Sequence, residues 1–328
     1  MKKVDFVVTW VNNADKKWLK KKNQYAKSID KEDQLTTQRS YRDWGTFKYW
    51  FRGVEKFAPW VNKIYLVVDN QVPNWLKMND KLVIVNHSDY MPEKFLPVFN
   101  SNAIESYLYK IPGLANHFVY FNDDMFLVKS TKKSDFFVNG LPCDIGVLSS
   151  ISPYLGGTAN FQVNNMELIN KYFTKEQILK NKKCLHWCYG IDNVRTLLQL
   201  PTKFMNGFFE PHMPEAFLKS TFEELWKKEN RILTRTASSK FRSKYDTNIW
   251  LFRDWQLAKG TFYPKNIRKF GHYYSTADIS KVKKDMLSHK YHIMCINDDI
   301  NLQEYGRVKK ELLASFEEIL PEKSSFEK

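Results

Sequence analysis

The 328-residue chain is 43% hydrophobic and 16% aromatic, a composition that allows a full hydrophobic core and excludes a disordered protein. Lysine and arginine number 51 against 36 for aspartate and glutamate, and the formal net charge of +15 suits an anionic partner such as a nucleotide diphosphate, a membrane surface or a nucleic acid. Because the sequence has neither an RNA-binding aromatic signature nor a helix-turn-helix pattern, we expect no nucleic-acid partner.

Strands alternate with helices in the first part of the chain. Compact apolar runs predict strands at residues 4–11, 63–68, 81–86 and 117–121. Apolar periodicity and the residues that interrupt it predict helices at residues 18–28, 39–56, 73–78 and 102–110. The alternation is typical of a parallel sheet with flanking helices, so the predicted fold class is a Rossmann-like α/β fold with a mostly parallel sheet and a helical insertion in the second half.

The pattern is less regular after residue 129. We predict a hairpin at residues 135–147, a strand at 290–296 and helices at 164–181, 193–200, 217–228, 245–259 and 302–320, and we expect the tail 322–328 to be frayed. The corresponding domain prediction is an α/β catalytic core, residues 1–150 and 236–328. A mainly helical insertion, residues 151–235, is expected to recognise an acceptor, as is the loop 261–290.

Each of the four predicted strands ends in polar residues: Asn12, Asp69, Asn86 and Asn122. The carboxyl ends of parallel strands meet at one edge of a sheet, and open α/β sheets bind ligands at that edge. The first strand lacks the glycine-rich fingerprint of a dinucleotide fold or a P-loop. We therefore expect a nucleotide site of another kind at this edge.

Asp123 and Asp124 stand directly after the buried strand 117–121. Two adjacent carboxylates there are costly unless a cation lies beside them, so a divalent ion carrying a nucleotide diphosphate is the simplest interpretation. Asp298, in the second Asn-Asp-Asp triplet at 297–299, is the third carboxylate candidate. The alternative is that each triplet only forms a turn after its strand.

Phosphate and proton chemistry also have candidate residues. Arg42 and Arg242 carry planar guanidinium groups that suit phosphate oxygens, although either could equally form a surface ion pair. His212 lies between Pro211 and Pro214, in a rigid segment that would fix a general base. A structural histidine is the alternative.

The cysteines and the hydropathy pattern favour a cytoplasmic chain. Cys184 and Cys188 could form half of a zinc site, but Cys143 and Cys295 lack paired spacing, so buried free thiols are expected. We see no signal peptide and no apolar run long enough to span a membrane. Any membrane contact would be peripheral, at the inner face.

Four segments of the sequence resemble the Stealth family, the hexose-1-phosphate transferases of bacterial capsules and cell-surface glycans. They are VDFVVTWVNNAD (4–15), a long second segment that runs from Arg42 to residue 127 and includes FNSNAIES and YFNDDMFL, PHMPEAF (211–217) and MCINDDI (294–300). Their order and spacing extend over nearly the whole chain. One departure is that Asn12-Asn13 replaces the family's usual Asp-Gly, which removes a charge.

The resemblance implies roles for particular residues. Glu105 and Asp124 match essential acidic residues of the family, Asp124 on the metal side, and His212 matches the histidine that activates the acceptor hydroxyl. Arg242 matches an arginine near the donor phosphates, and Asn297-Asp298 belongs to the fourth segment. The implied catalytic set is His212, Asp124, Glu105 and Arg242, and the implied metal set is Asp123, Asp124 and Asp298. The residues expected to bind the donor are Trp10, Asn12, Arg42, Asp43, Asn70, Asn100 and Asn122.

The resemblance also implies a reaction. A sugar 1-phosphate would pass from a nucleotide sugar, with a UDP-sugar expected, to a hydroxyl of an acceptor glycan, lipid-linked or free, with Mg²⁺ or Mn²⁺ as cofactor and UMP as the leaving group. A metal-dependent glycosyltransferase that attacks the anomeric carbon and releases UDP would use the same residue types. A non-catalytic module that binds a glycan or nucleotide is the remaining alternative.

Overall fold

The computed structural model describes residues 2–12, 14–26, 44–154, 157–298 and 304–328. Arg42 and Asp43, expected to bind the donor, lie outside the described residues. The described strands are β1 (Val4–Thr9), β2 (Ile64–Val68), β3 (Leu82–Asn86), β4 (His117–Phe121), β5 (Met125–Leu127), β6 (Phe137–Val138), β7 (Leu141–Asp144), β8 (Glu215–Leu218), β9 (Tyr263–Pro264), β10 (Gly271–Ser275) and β11 (Ile293–Asn297).

The described α-helices lie between and after these strands. They are α1 (Lys16–Ala26), α2 (Phe47–Phe57), α3 (Ser101–Ser106), α4 (Ala159–Tyr172), α5 (Lys175–Lys180), α6 (Asn193–Gln199), α7 (Lys219–Lys228), α8 (Asn230–Ser238), α9 (Trp250–Lys259), α10 (Ile267–Phe270), α11 (Ile279–Leu287) and α12 (Tyr305–Ile319). A 3-10 helix, Trp187–Asp192, leads directly into α6.

The central sheet has the strand order β3-β2-β1-β4-β8. β1 to β4 are parallel, and β8 joins the edge antiparallel to β4. This arrangement confirms the predicted Rossmann-like α/β fold. The chain order reverses between β1 and β4, which is the position where open α/β sheets bind ligands.

Side chains of β1 alternate between the two faces of the sheet, as the period of a strand requires. Phe6 and Val8 pack into one core, with α2 and α12, whereas Val7 packs into the other core, with α7 and α9. Gly53 lets α2 lie against β5, because a Cβ at this position would be 2.6 Å from the Leu127 carbonyl oxygen. Both faces are covered, which is why the predicted strands read as continuous apolar runs.

A second sheet, β10-β11-β5, lies beside the central one. β5 follows β4 after only three residues, 122–124, and pairs antiparallel with β11, so that Met125 lies opposite Cys295. The backbone N–H of Ile296 donates to the carbonyl of Asp124 over 2.9 Å. The end of β4 and the end of β11 are therefore held together.

The structure corrects several predicted elements. Residues 73–78 form a turn and an isolated bridge, Leu76 with Glu327, rather than a helix, because this segment pairs with the C-terminal tail. The tail is therefore not frayed. The predicted helix 164–181 is two helices separated at Thr174, whose hydroxyl accepts a hydrogen bond from the Gln177 N–H and begins α5.

Further corrections concern the second half. The predicted helix 217–228 begins as β8, which pairs with β4, so the central sheet takes a strand from the segment predicted as an insertion. The helix predicted at 245–259 begins only at Trp250. The loop predicted at 261–290 contains β10 and α11, and α8 has no counterpart in the prediction. The division into a core and an acceptor-recognising insertion stays a prediction.

Candidate active site

The ends of β4 and β11 position Asp124 at the edge of the central sheet. Asp124 ends the short connection from β4 to β5, and its Oδ2 accepts a hydrogen bond from Asn297 Nδ2 over 3.1 Å. Asn122 is the first residue of this connection, and its carbonyl accepts from the Met125 N–H over 3.2 Å. Asp123 lies between them, and Asp298 follows β11 directly.

Asp124, His212 and Cys295 come together although they are far apart in the sequence. One ligand atom from each lies within 4.8 Å of those of the other two. His212 has φ = 51°, in the left-handed region that non-glycine residues seldom adopt. Its ring makes edge contacts with Trp250 and Tyr273, at centroid distances of 5.9 and 5.5 Å. The strained backbone and these contacts fix the imidazole at Asp124.

Burial determines the protonation states in this group. It raises the pKa of the Asp124 carboxyl, although His212, Asn297 and Cys295 oppose the rise. It lowers the pKa of His212 below the usual value, an effect that Asp124 opposes and Arg242 reinforces. It also holds the pKa of the Cys295 thiol well above its usual range. His212 is consequently neutral near pH 7, the form that can accept a proton.

The arrangement around Asp124 fits a divalent cation in part. Asp124 Oδ1 is buried and has no hydrogen-bond partner among the described residues, so a cation beside it would satisfy an otherwise costly oxygen. Cys295 is unsuited to this role because Mg²⁺ and Mn²⁺ prefer oxygen ligands. Asp123, Asp124 and Asp298 do not form a three-residue group with ligand atoms within 4.8 Å in the described chain. Their joint role as ligands stays a prediction.

Glu105 and Arg242 lie near this group. Glu105 Oε1 accepts a hydrogen bond from the Tyr120 hydroxyl over 3.0 Å, and the same hydroxyl lies 3.0 Å from Thr9 Oγ1 on β1. Burial raises the pKa of Glu105 to about 7, against the opposing effect of Arg242. The positive charge of Arg242 favours a lower pKa of both Glu105 and His212.

Arg242 is held by residues that the sequence did not single out. Its Nε and Nη2 donate to Ser101 Oγ over 3.2 and 2.7 Å. In the same turn, the Ser243 N–H donates to Asp246 Oδ2 over 3.0 Å, and Asn100 Nδ2 donates to the same oxygen over 2.8 Å. Asp246 therefore joins the turn that carries Arg242 to the beginning of α3.

Asn100 is placed at this junction rather than toward open solvent. It is buried, and its Oδ1 accepts from the Asn102 N–H over 3.1 Å, which caps the N-terminus of α3. Its Nδ2 also donates to the Ser239 carbonyl over 3.1 Å. With its amide engaged on both sides, Asn100 supports the site from within the protein, and its predicted contact with the donor is untested.

The other predicted donor residues line the ends of β1 and β2. The Asn12 N–H donates to Gln71 Oε1, and Gln71 Nε2 donates back to the Asn12 carbonyl, both over 2.9 Å. Asn70 has φ = 54°, and its N–H donates to Asn86 Oδ1 over 3.0 Å. Trp10 stacks on Phe47 at a centroid distance of 5.6 Å. Trp10, Asn12 and Asn70 thus lie at the predicted edge of the central sheet. Arg242 and Asn100 lie instead at the beginning of α3.

A second group of carboxyls lies around Arg253 and was also missed. Asp144, Glu210, Glu215 and Asp254 interact electrostatically with Arg253 or with one another, and Glu210 is only two residues before His212. Arg253 donates to both Asp144 oxygens, over 2.8 and 2.9 Å. A sequence signal existed, because the Arg-Asp pair 253–254 stands among the large apolar residues Trp250–Phe252 and Trp255, where charges must find partners.

Comparisons with known proteins agree with the sequence motifs. The family model described as Stealth protein CR2, conserved region 2, matches residues 39–143, and that of Stealth protein CR1, conserved region 1, matches residues 2–30. Over 332 aligned residues the chain is 46% identical to the receptor polysaccharide phosphotransferase WefC of Streptococcus oralis. It is also 46% identical over 332 residues to the capsular polysaccharide phosphotransferase WcwK of Streptococcus pneumoniae. Each alignment covers 100% of both chains.

Among solved structures, the galactosyltransferase LgtC in complex with donor and acceptor sugar analogs has a TM-score of 0.40 and 9% sequence identity. The likeness covers 94% of this chain and 95% of that one.

Proposed function

This chain belongs to the Stealth family and is a transferase of phosphorus-containing groups in polysaccharide synthesis, and we propose that its substrates are a UDP-sugar and a hydroxyl of an acceptor glycan. The product is a phosphodiester in capsular or other cell-surface polysaccharide, and the leaving group is UMP. One observation carries the proposal most directly. A half-buried histidine whose lowered pKa keeps it neutral lies against the strand-end carboxylate Asp124.

His212 acts as the general base in this proposal. It takes the proton of the acceptor hydroxyl, whose oxygen attacks the phosphorus next to the sugar. The bond from that phosphorus to the bridging oxygen breaks, and the electron pair leaves with UMP. Loss of a positioned base typically costs about 10²- to 10⁴-fold in rate. The strained backbone of His212 supports the role, because it fixes the imidazole before substrate binds.

Arg242 stabilises the charge on the transferring phosphate. A guanidinium group presents donors that match phosphate oxygens, and phosphoryl transfer depends mostly on positioning and electrostatics. Ser101 holds Arg242 by two contacts, and Glu105 lies close enough to affect it electrostatically. Arg42, outside the described residues, is the second candidate for this role.

The proposed cofactor is Mg²⁺ or Mn²⁺. Asp124 and Asp298 would hold the ion, since Asp124 Oδ1 is buried without a hydrogen-bond partner in the described chain and Asp298 follows the residue that binds Asp124 Oδ2. When bound, the cation neutralises charge on the donor diphosphate. Asn297 keeps the Asp124 carboxylate in a fixed orientation.

Transferase assays with mass analysis of the released nucleotide test the proposal. The full chain is incubated with Mg²⁺ or Mn²⁺, a panel of UDP-sugars and candidate acceptor glycans. UMP release with a phosphodiester product is expected, and His212→Ala should abolish most of it. The control His292→Ala should not, because His292 precedes β11, whereas Asn297 and Asp298 lie at the other end of this strand. Release of UDP with a plain glycoside would overturn the reaction class. Absence of nucleotide release across the panel would favour a binding module.

We also propose that the enzyme works at the inner face of the cell membrane, on an acceptor that is carried there by a lipid. In the part of the chain that the structure describes, no helix is long and apolar enough to cross a bilayer. Contact would therefore be peripheral, and the formal net charge of +15 favours an anionic surface.

A further inference from the structure

Helix α6 has its apolar face outward. Val194, Leu197 and Leu198 are spaced i, i+3 and i+4, so they share one face of the helix, and all three are exposed. Thr196, on the opposite side, is fully buried, accepts a hydrogen bond from the Leu148 N–H and donates one to the Cys184 carbonyl. A helix on the surface of a globular protein normally has the reverse arrangement.

The segments on either side extend this apolar surface. Trp187 is 85% exposed and Ile191 is 82% exposed in the 3-10 helix before α6, and Leu198 is 71% exposed. The 185–204 surface consists of the exposed side chains Leu185, Trp187, Ile191, Val194, Leu197, Leu198, Leu200 and Phe204. So many large apolar side chains in twenty consecutive residues indicate an interaction site rather than scattered exposure.

The exposed charged residues of the chain segment that carries the 185–204 surface have one sign. From residue 177 to 209 the only acidic residue is Asp192. Asp192 is buried and forms ion pairs with Arg268 and Arg195, so it adds no free negative charge to the surface. The exposed charged residues of the segment are Lys180, Lys182, Arg195 and Lys203. An anionic partner complements this combination.

We propose that the 185–204 surface docks the enzyme on an anionic phospholipid bilayer. Exposed tryptophan and aliphatic side chains flanked by cations are the composition of interfacial segments, in which the apolar groups enter the acyl boundary and the cations contact lipid phosphates. A second copy of the chain is a poorer occupant. A two-fold interface would bring the same cations of both copies together without acidic residues between them.

The location of the surface suits its purpose. Phe204 is only eight residues before His212, and Arg195 lies over the ring of Phe209, with 5.3 Å from its Cζ to the ring centroid. A bilayer at this surface would bring a lipid-carried acceptor toward the general base. The delivery of a lipid-carried acceptor rests on the proposed function, whereas the docking on a bilayer depends only on the 185–204 surface.

Vesicle sedimentation of the full chain tests the proposal. Phosphatidylcholine vesicles with phosphatidylglycerol should sediment the wild type, and vesicles of phosphatidylcholine alone should do so much less. The triple variant Trp187→Ser, Ile191→Ser, Leu198→Ser should bind the anionic vesicles about tenfold or more weakly, because it removes the inserted groups. Met78→Ser, an exposed apolar residue elsewhere, is the matched control and should bind as the wild type does.

Other outcomes would overturn it. Equal binding to both vesicle types, or unchanged binding of the triple variant, contradicts docking by this surface. A dimer in light scattering that the triple variant abolishes would assign the surface to a second copy instead. An assay of nucleotide release with a water-soluble acceptor separates docking from the proposed reaction. The triple variant should release nucleotide as the wild type does, because this acceptor needs no membrane. If the wild type released no nucleotide, the result would count against the proposed reaction but not against docking. Trp187→Ser alone repeats the vesicle test if the triple variant fails to fold.

Discussion

Asn297 Nδ2 donates a hydrogen bond to Asp124 Oδ2 over 3.1 Å, which links the residue that ends β11 to the carboxylate that follows β4. The contact joins the second and fourth of the segments that resemble the Stealth family, which are the two with Asn-Asp-Asp triplets, although 173 positions separate the two residues. It leaves Oδ1 as the buried oxygen without a hydrogen bond. Asn297 thus determines which Asp124 oxygen is available to a cation.

We expect Asn297→Ala to weaken metal-dependent turnover. Groups that orient a metal ligand typically contribute about 10- to 100-fold in affinity or activity, so the concentration of Mn²⁺ or Mg²⁺ at half-maximal UMP release should rise by that order. A metal titration of initial rates measures it. Asn79→Ala, whose exposed amide donates to Ser325 Oγ and accepts from the Lys81 N–H, is the control. An unchanged metal requirement in Asn297→Ala would contradict the role of Asn297.

Asp246 should be required for both stability and the position of Arg242. It accepts hydrogen bonds from Asn100 Nδ2 and the Ser243 N–H, and Asp246→Ala would leave these buried donors unsatisfied. We expect a loss of roughly 2–4 kcal/mol in the free energy of unfolding, measured with urea. Because Arg242 is four residues away in the same turn, KM for the UDP-sugar should also rise.

The control for Asp246 is Asp278→Ala, a residue near the beginning of α11 that is far in sequence from this turn. Asp278→Ala should change neither the free energy of unfolding nor the KM for the UDP-sugar appreciably. If Asp246→Ala lost stability but kept the wild-type KM, Asp246 would be a structural residue without influence on Arg242.

Sequence patterns predicted the four parallel strands of the central sheet because they are covered on both faces, whereas β8 was predicted as part of a helix. β1 and β4 therefore appear as largely apolar runs, and the polar residues that follow them mark the edge where the site lies. Two strands of the second sheet escaped prediction: β5 has only three residues, and β10, with the sequence GHYYS, has no apolar run. The tail 322–328 was wrongly predicted to be frayed for another reason. Its composition does not reveal that Arg52 lies beneath it and binds Glu327.

The site could be predicted residue by residue but not as an arrangement. The motifs pointed to Asp124 and His212, whereas the position of Cys295 beside them follows from the antiparallel pairing of β11 with β5. Pairing between distant segments leaves no local pattern. Asp246 likewise stands in an unremarkable polar stretch, and its role arises only when that stretch meets α3.

Asp254 should make the protein less stable as pH rises. Burial raises its pKa from 3.8 to about 7 in the folded state. The folded protein binds this proton more tightly than the unfolded chain, so the contribution to stability is complete below about pH 4 and is lost as pH rises through 7. From pH 5 to pH 8 we expect the wild type to lose roughly 2–4 kcal/mol through this group.

Asp254→Asn removes that titration and should be the more stable protein at pH 8. Urea unfolding of both proteins at pH 5 and pH 8 measures the difference, and Asp80→Asn, an exposed carboxyl, should behave as the wild type does. Asp144 continues to pair with Arg253 in the variant. If wild type and Asp254→Asn showed the same change in stability between the two pH values, Asp254 would not be protonated in the folded protein at neutral pH.

The C-terminal tail should contribute to stability through Glu327. Its carboxylate accepts from Arg52 Nε and Nη2 over 2.8 and 2.9 Å, and both side chains are about 5% exposed or less. Glu327→Gln leaves the Arg52 guanidinium buried without its main counter-charge, since Glu317, its other acidic partner, is half exposed. Loss of one member of a buried pair typically costs about 3–5 kcal/mol, and we expect a loss of that order in the free energy of unfolding, measured with urea.

Glu322→Gln, which changes an exposed carboxyl in the same tail, is the control and should change the free energy of unfolding by less than about 0.5 kcal/mol. Equal stabilities of the two variants would mean that the tail covers the protein without stabilising it.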